Sequence, residues 1–305
     1  ALHDNKFVYI DDERAERLNK LQHLCRLSNL LLLIEGTAGI GKSTFVQRFI
    51  QAAGPEYIIC AVTANTMTDA EQLLFQAAQG FGVRELPQDA SDLMGLLYNQ
   101  VATFHHNGQI PVLIVDDAHQ LPKEALLAIY NLADSYVNDV NLLRLILVCE
   151  PQIEKILGSN DLKVLRDRVT HTMDLPSLNQ QTTAEYMKYR MAVAGFDGGS
   201  PFSPQMVKKI YRASRGIPMQ INRLAHEALV EGDVPAVTDQ DQPQQPDHLS
   251  LNKEKQSVPL IYATAAVFFM ALVMGLHQPI LGVLNIANQN MTLFHRANRQ
   301  VNGAR

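Results

Sequence analysis

The sequence predicts an α/β fold: a parallel sheet flanked by helices, then a small helical unit, a linker and one apolar helix. Three observations carry this. Short unbroken apolar runs alternate with helical patterns through the first half of the chain. The strand-like runs stop near Gln180, and three helical patterns follow. A polar stretch then leads into 19 residues without a charge, Val258 to Leu276.

The opening residues are polar and acidic (ALHDNKFVYIDDERAER), so no secretory signal is read there. Leu18, Leu21, Leu24 and Cys25 recur at helical spacing and predict one helix before residue 28. Apolar runs at Leu30–Glu35, Tyr57–Val62, Val112–Val115 and Leu145–Val148, with a weaker fifth at His171–Leu175, predict the strands. Helical patterns over 69–80, 91–106, 122–137 and 151–157 lie between them. Continuous apolar strands separated by helices mean a parallel sheet covered on both faces. This α/β domain is expected over residues 1–176.

Residues 177–231 are expected to form a helical domain, with helices over 180–195, 203–214 and 219–231 punctuated by Pro201, Pro204 and Gly216-Ile217-Pro218. Residues 232–257, rich in Pro, Gln and Asp, read as a flexible linker. Residues 258–276 as a helix would rise about 28 Å, the hydrocarbon thickness of a bilayer, so they read as a transmembrane helix. A buried core helix seldom stays apolar on every face. Residues 277–305 form a short tail in which Ile280, Leu284, Ala287, Met291 and Phe294 keep helical spacing, suited to a membrane surface or a partner helix.

Composition sets further bounds. The chain has 305 residues, 47% hydrophobic and 19% charged, enough for an ordinary core. A formal net charge of -5 supplies no electrostatic reason for broad nucleic-acid binding. Cys25, Cys60 and Cys149 are widely spaced among apolar neighbours and read as core residues rather than a disulfide or zinc framework.

The chemistry centres on GTAGIGKS at 36–43, a full match to G-x-x-x-x-G-K-[ST] between a strand and a helix. Gly36, Thr37, Ala38, Gly39, Ile40 and Gly41 would curl backbone N–H groups around phosphate, with the helix N-terminus and Thr44 behind them. Lys42 would reach the β- and γ-phosphates, and Ser43 would offer a hydroxyl to Mg²⁺. The expected ligands are ATP and Mg²⁺.

PVLIVDDAH at 111–119 is the second motif. Asp116 ends the strand where it can hold the metal through water, and Asp117 is placed to orient or deprotonate the attacking water. Glu150, at the end of the fourth strand, would lie between the two motifs and sense the γ-phosphate. In LRDRV at 165–169, an arginine would reach a neighbouring subunit's site in trans, Arg168 first and Arg166 second. The bland alternatives are a solvated strand end at the carboxylates and a surface ion pair at the arginines.

Together, these motifs with LVCEPQ and GIP-x-x-IN resemble the ExeA/GspA-type AAA+ ATPases of the bacterial envelope, over roughly residues 12 to 231. The opening is similar to the DamX-like ATPases of gammaproteobacteria. The resemblance implies an ASCE-type P-loop sheet with a C-terminal helical lid, a cytoplasmic ATPase domain and a single inner-membrane helix. It also implies a nucleotide-dependent homo-oligomer and an envelope protein partner, peptidoglycan-associated in relatives, in secretion, pilus assembly or division.

The chain departs from the family in three places. Met219 stands where the family has a second sensing arginine, for which Arg215 or Arg223 could substitute. Asp117 stands where the family has Glu, which motivates a slowly hydrolysing scaffold as an alternative. Only 29 residues follow Leu276, too few for a peptidoglycan-binding domain, so either the chain is truncated or its partner contact is a short helix. Charge leans against the implied topology, because Lys253 and Lys255 precede the helix while Arg296, Arg299 and Arg305 follow it. A second alternative is a DNA-associated regulator resembling TnsC-type transposition ATPases.

Overall fold

The structure, a computed structural model, describes residues 9–27, 29–83, 90–137, 140–196 and 200–231. The proposed linker, transmembrane helix and tail lie outside these residues. Among the described residues no helix is long and apolar enough to cross a membrane.

Five parallel strands form the sheet: β1 (Leu31–Glu35), β2 (Tyr57–Thr63), β3 (Ile110–Asp116), β6 (Arg144–Cys149) and β7 (His171–Asp174). Their order is β2-β3-β6-β1-β7, so the first strand sits inside the sheet with β6 between it and β3. All five expected strands are present. β1, β3 and β6 are apolar at successive positions because both of their faces are covered. Leu31, Leu33, Leu113, Val115, Leu145 and Leu147 pack on one side. Leu32, Ile34, Val112, Ile114, Ile146 and Val148 pack on the other. Each such side chain, fully buried, stabilises the fold by about 1.5–3 kcal/mol.

One side of the sheet carries α3 (Ala70–Gly80), α4 (Ala90–His106) and α5 (Lys123–Ala133); the other carries α1 (Asp12–Leu24) and α2 (Lys42–Ala52). Leu21, Leu24 and Cys25 bury the expected face of α1. The three cysteines are free and buried, and burial pushes the Cys60 thiol up to about 11 and Cys25 to about 12.

One helix is shorter than its pattern. The periodicity over 122–137 runs past the real end of α5 at Ala133, because Tyr136–Val137 pairs with Val140–Asn141 as the antiparallel strands β4 and β5. The buried Asn141 donates from Nδ2 to the Ala133 carbonyl at 2.9 Å and so closes that helix end. The fourth pattern begins later than read, as α6 (Ile153–Leu157), and α7 (Lys163–Arg168) leads into β7.

Beyond β7 lie α8 (Gln180–Val193), α9 (Pro204–Ser214) and α10 (Pro218–Glu231), with a core of their own that includes Tyr186, Met187, Ile210, Ile221 and Leu224. Asn179 and Ser203 cap α8 and α9 through their side chains. Gly216 turns the chain between α9 and α10 at φ +74°. A Cβ there would stand 1.9 Å from the Leu178 carbonyl oxygen, so only glycine lets this turn close on the connection from β7.

Candidate nucleotide site

The site lies at the carboxyl ends of β1, β6 and β3. Neighbouring strands are about 4.8 Å apart, so the end of β3 stands about 10 Å from the end of β1, with β6 between them. That is the crevice where ligands bind in open α/β sheets. Glu150 follows β6 directly and thus stands between the loop at 36–43 and Asp116.

The loop leaves β1 with the Gly36 N–H donating to the Cys149 carbonyl at 3.3 Å and tightens where the Ile40 N–H donates to the Thr37 carbonyl at 3.2 Å. Gly39 and Gly41 take φ of +74° and +99°. Gly41 begins α2 and gives it no side-chain cap, unlike the capping residues of α1, α3, α8 and α9. The first N–H groups of α2 therefore point out without a side-chain acceptor, at the positive end of the helix dipole. An anion satisfies both.

Lys42, the first residue of α2, is 7% exposed. Its Nζ donates to the Gly36 and Thr37 carbonyls at 2.9 and 3.3 Å and lies 3.8 Å from Glu150 Oε1. Ser43 and Thr44 are exposed on the same turn. Asp116 Oδ1 accepts the Asp117 N–H at 3.0 Å, which orients the Asp116 carboxylate. Asp117 has φ 56°, ψ 34°, the left-handed region. Asp and Asn enter that region several-fold more readily than other non-glycine residues, which gives the Asp at this position a backbone reason. A serine hydroxyl and a strand-end carboxylate form the donor set of a cation that keeps water and phosphate oxygens, as Mg²⁺ does.

A cavity of about 250 Å³ opens beside the loop, between Tyr9, Gly41, Thr44, Tyr186, Pro218 and Met219. The loop residues Gly39 and Ile40 line it as well. The opening segment builds one wall: the Tyr9 hydroxyl donates to Glu185 at 3.2 Å, and its ring meets Tyr186 at 5.6 Å. Burial, then the Glu185 carboxylate, raises the Tyr9 phenol to about 12. Arg14 fixes the junction beneath. It pairs with Asp11 at 2.6 Å and donates to the carbonyls of Ile40 and Pro176, both at 3.2 Å.

Met219 touches the loop by its backbone. Its N–H donates to the Gly39 carbonyl at 3.2 Å, and a Cβ at Gly39 would come within 2.6 Å of the Met219 Cβ. Of the two suggested substitutes, Arg215 ends α9 in the left-handed region and Arg223 pairs with Gln220 and Glu227, and neither lines the cavity. Arg190 of α8, which sequence reasoning missed, lines the cavity instead.

Arg168 is held in its own chain. It donates to the Asn29 carbonyl and to Asn141 Oδ1, both at 2.9 Å, and lies 3.6 Å from Asp134. Arg166, with a side chain 45% exposed against 20% for Arg168, is the more available of the two.

Two ionisable groups beside the loop were given no role by the sequence analysis. His119 ends DDAH and receives the Glu150 N–H on Nδ1 at 3.3 Å. Glu35, at the end of β1, is half-buried, and burial, then Glu154 and Asp174, raises its carboxyl from 4.5 to about 7. A carboxyl raised on folding favours the folded state most below its unfolded value and withdraws that stability as pH climbs through about 7. Replacing Glu35 by Gln should therefore leave stability unchanged near pH 4 and raise it near pH 8 by about 1 kcal/mol after allowance for solvent screening. Urea unfolding at the two pH values checks this, and an equal effect at both contradicts it.

Residues 25–157 match the AAA domain family. That match spans the phosphate loop and both aspartates at the end of β3. It is 26% identical over 229 residues to General secretion pathway protein A of Aeromonas hydrophila, covering 74% of this chain and 41% of that protein. It is 24% identical over 119 residues to the Mu-like prophage FluMu DNA transposition protein B of Haemophilus influenzae, covering 39% of each. The chain thus spans about two-fifths of the curated relatives it matches. Its fold is similar to Cdc6p from Pyrobaculum aerophilum, with a TM-score of 0.57 at 16% identity, over 75% of this chain and 67% of that one.

Proposed function

We propose that this ATPase binds Mg-ATP at 36–43 and uses binding and hydrolysis to drive or regulate assembly of bacterial envelope machinery. The 26% identity to General secretion pathway protein A over 229 residues, beside the phosphate loop at 36–43, supports this reading. The helices α8–α10 act as a lid whose contact with Gly39 through Met219 reports on the nucleotide. The nucleoside occupies the cavity by Tyr9, and Asp117 positions the water. ATP joins copies of the chain, and Arg166, rather than the internally engaged Arg168, enters the neighbouring site. Residues 258–276 anchor the assembly in the inner membrane, with the ATPase domain in the cytoplasm.

Turnover per chain should rise with protein concentration, and Arg166→Ala should lower it about 10²-fold or more without weakening ATP binding. In intact cells the chain should sediment with membranes. Concentration-independent turnover removes the shared site, and a chain that stays in the soluble fraction removes the anchor.

The similarity to a DNA transposition protein favours a second reading, ATP-dependent association with DNA. ATP-dependent DNA retention that weakens steeply with salt would favour it over the envelope reading.

A further inference from the structure

Resting on the nucleotide reading, we infer that Glu150 is an internal rival of the γ-phosphate for Lys42, and that His119 is the positioning residue to which Glu150 passes when a triphosphate binds.

The Glu150 carboxylate stands among three donors. Lys42 Nζ is 3.8 Å from Oε1, His119 Nε2 is 4.0 Å from the same oxygen, and Gln152 Nε2 donates to Oε2 at 3.5 Å. The Lys42 and His119 side chains are 7% and 9% exposed, so little water is available to either. The histidine's tautomer follows from its other bond. Nδ1 accepts the Glu150 N–H at 3.3 Å, so the ring proton sits on Nε2, facing the carboxylate. About 1 Å of closure brings that contact to hydrogen-bond length.

A γ-phosphate drawing Lys42 toward itself takes away the carboxylate's cation and sets a second negative group close by. A carboxylate only 20% exposed and left with the long Gln152 contact alone is costly. The Nε2–H of His119 removes that cost by holding Glu150 on the β3 side of the crevice. ADP has no γ-phosphate and leaves more of the Lys42–Glu150 contact intact. The arrangement therefore makes His119 a determinant of ATP over ADP.

The test is calorimetric binding of Mg-ATPγS and Mg-ADP to the full chain. His119→Ala should weaken ATPγS about tenfold, as for loss of one hydrogen bond to a charged group, and ADP by less than about twofold. Glu150→Gln should tighten ATPγS about threefold or more, and adding His119→Ala to it should change nothing further. His119→Gln, whose amide reaches the Nε2 position, should restore ATPγS binding. His119→Asn, which can only accept the Glu150 N–H, should not. Equal losses for both nucleotides, a loss that persists beside Glu150→Gln, or rescue by Asn alone overturns the inference and leaves His119 as a structural cap. Absence of binding by the wild-type chain, or binding unaffected by Lys42→Ala, overturns the nucleotide site itself.

Discussion

Lys42→Ala lowers affinity for Mg-ATP at least about 100-fold and abolishes turnover. The size follows from the contacts. Lys42 is the cation of the phosphate loop, and its ammonium already donates to the Gly36 and Thr37 carbonyls. A phosphate held in its place gains charge-assisted bonds, each worth about 1.5–3 kcal/mol. Losing one or two of them is a factor of about 10² or more. Folding should suffer little, since Glu150 keeps His119 and Gln152 nearby. Lys42→Arg should rescue poorly, because a planar fork does not fit a cradle shaped for a compact ammonium. Calorimetry with Mg-ATP, alongside a melting curve, separates binding from stability. Unchanged affinity in a folded Lys42→Ala chain would remove the phosphate loop as the nucleotide site.

The sheet was legible in the sequence because β1, β3 and β6 are covered on both faces, which forces unbroken apolar runs such as Leu31–Ile34. The phosphate loop was legible because its backbone demands particular residues: Gly39 and Gly41 at positive φ, then Lys42. The end of α5 was not, since the helical period continues through Tyr136 and only the bond from Asn141 to Ala133 reveals the stop. His119 and Glu35 were missed for a different reason. Their roles depend on neighbours contributed from other strands and their ends, Glu150 just after β6 and Asp174 in β7, and no spacing along the chain records such juxtapositions. Arg168 has the same character. Its motif suggests a reach outward, while Asn29, Asp134 and Asn141, distant in sequence, hold it within its own chain.

Asp117→Asn should cut ATP hydrolysis by about 10²- to 10³-fold while Mg-ATP affinity stays within about twofold, the pattern of a group that acts on the attacking water and not on the nucleotide. The substitution keeps the local fold, because Asn enters the left-handed region as readily as Asp and the N–H to Asp116 is unchanged. Asp117→Glu tests the same position differently. Chain chemistry alone favours the longer carboxylate for reaching a water. The backbone opposes it, since a left-handed Glu costs about 1–2 kcal/mol. The expected outcome is a lower melting temperature with turnover no faster than wild type, so the Asp here is a concession to backbone geometry. Single-turnover hydrolysis of both variants distinguishes the effects. If Asp117→Asn hydrolyses ATP at the wild-type rate, the proton passes elsewhere; if Asp117→Glu is both stable and faster, backbone geometry did not select the shorter side chain.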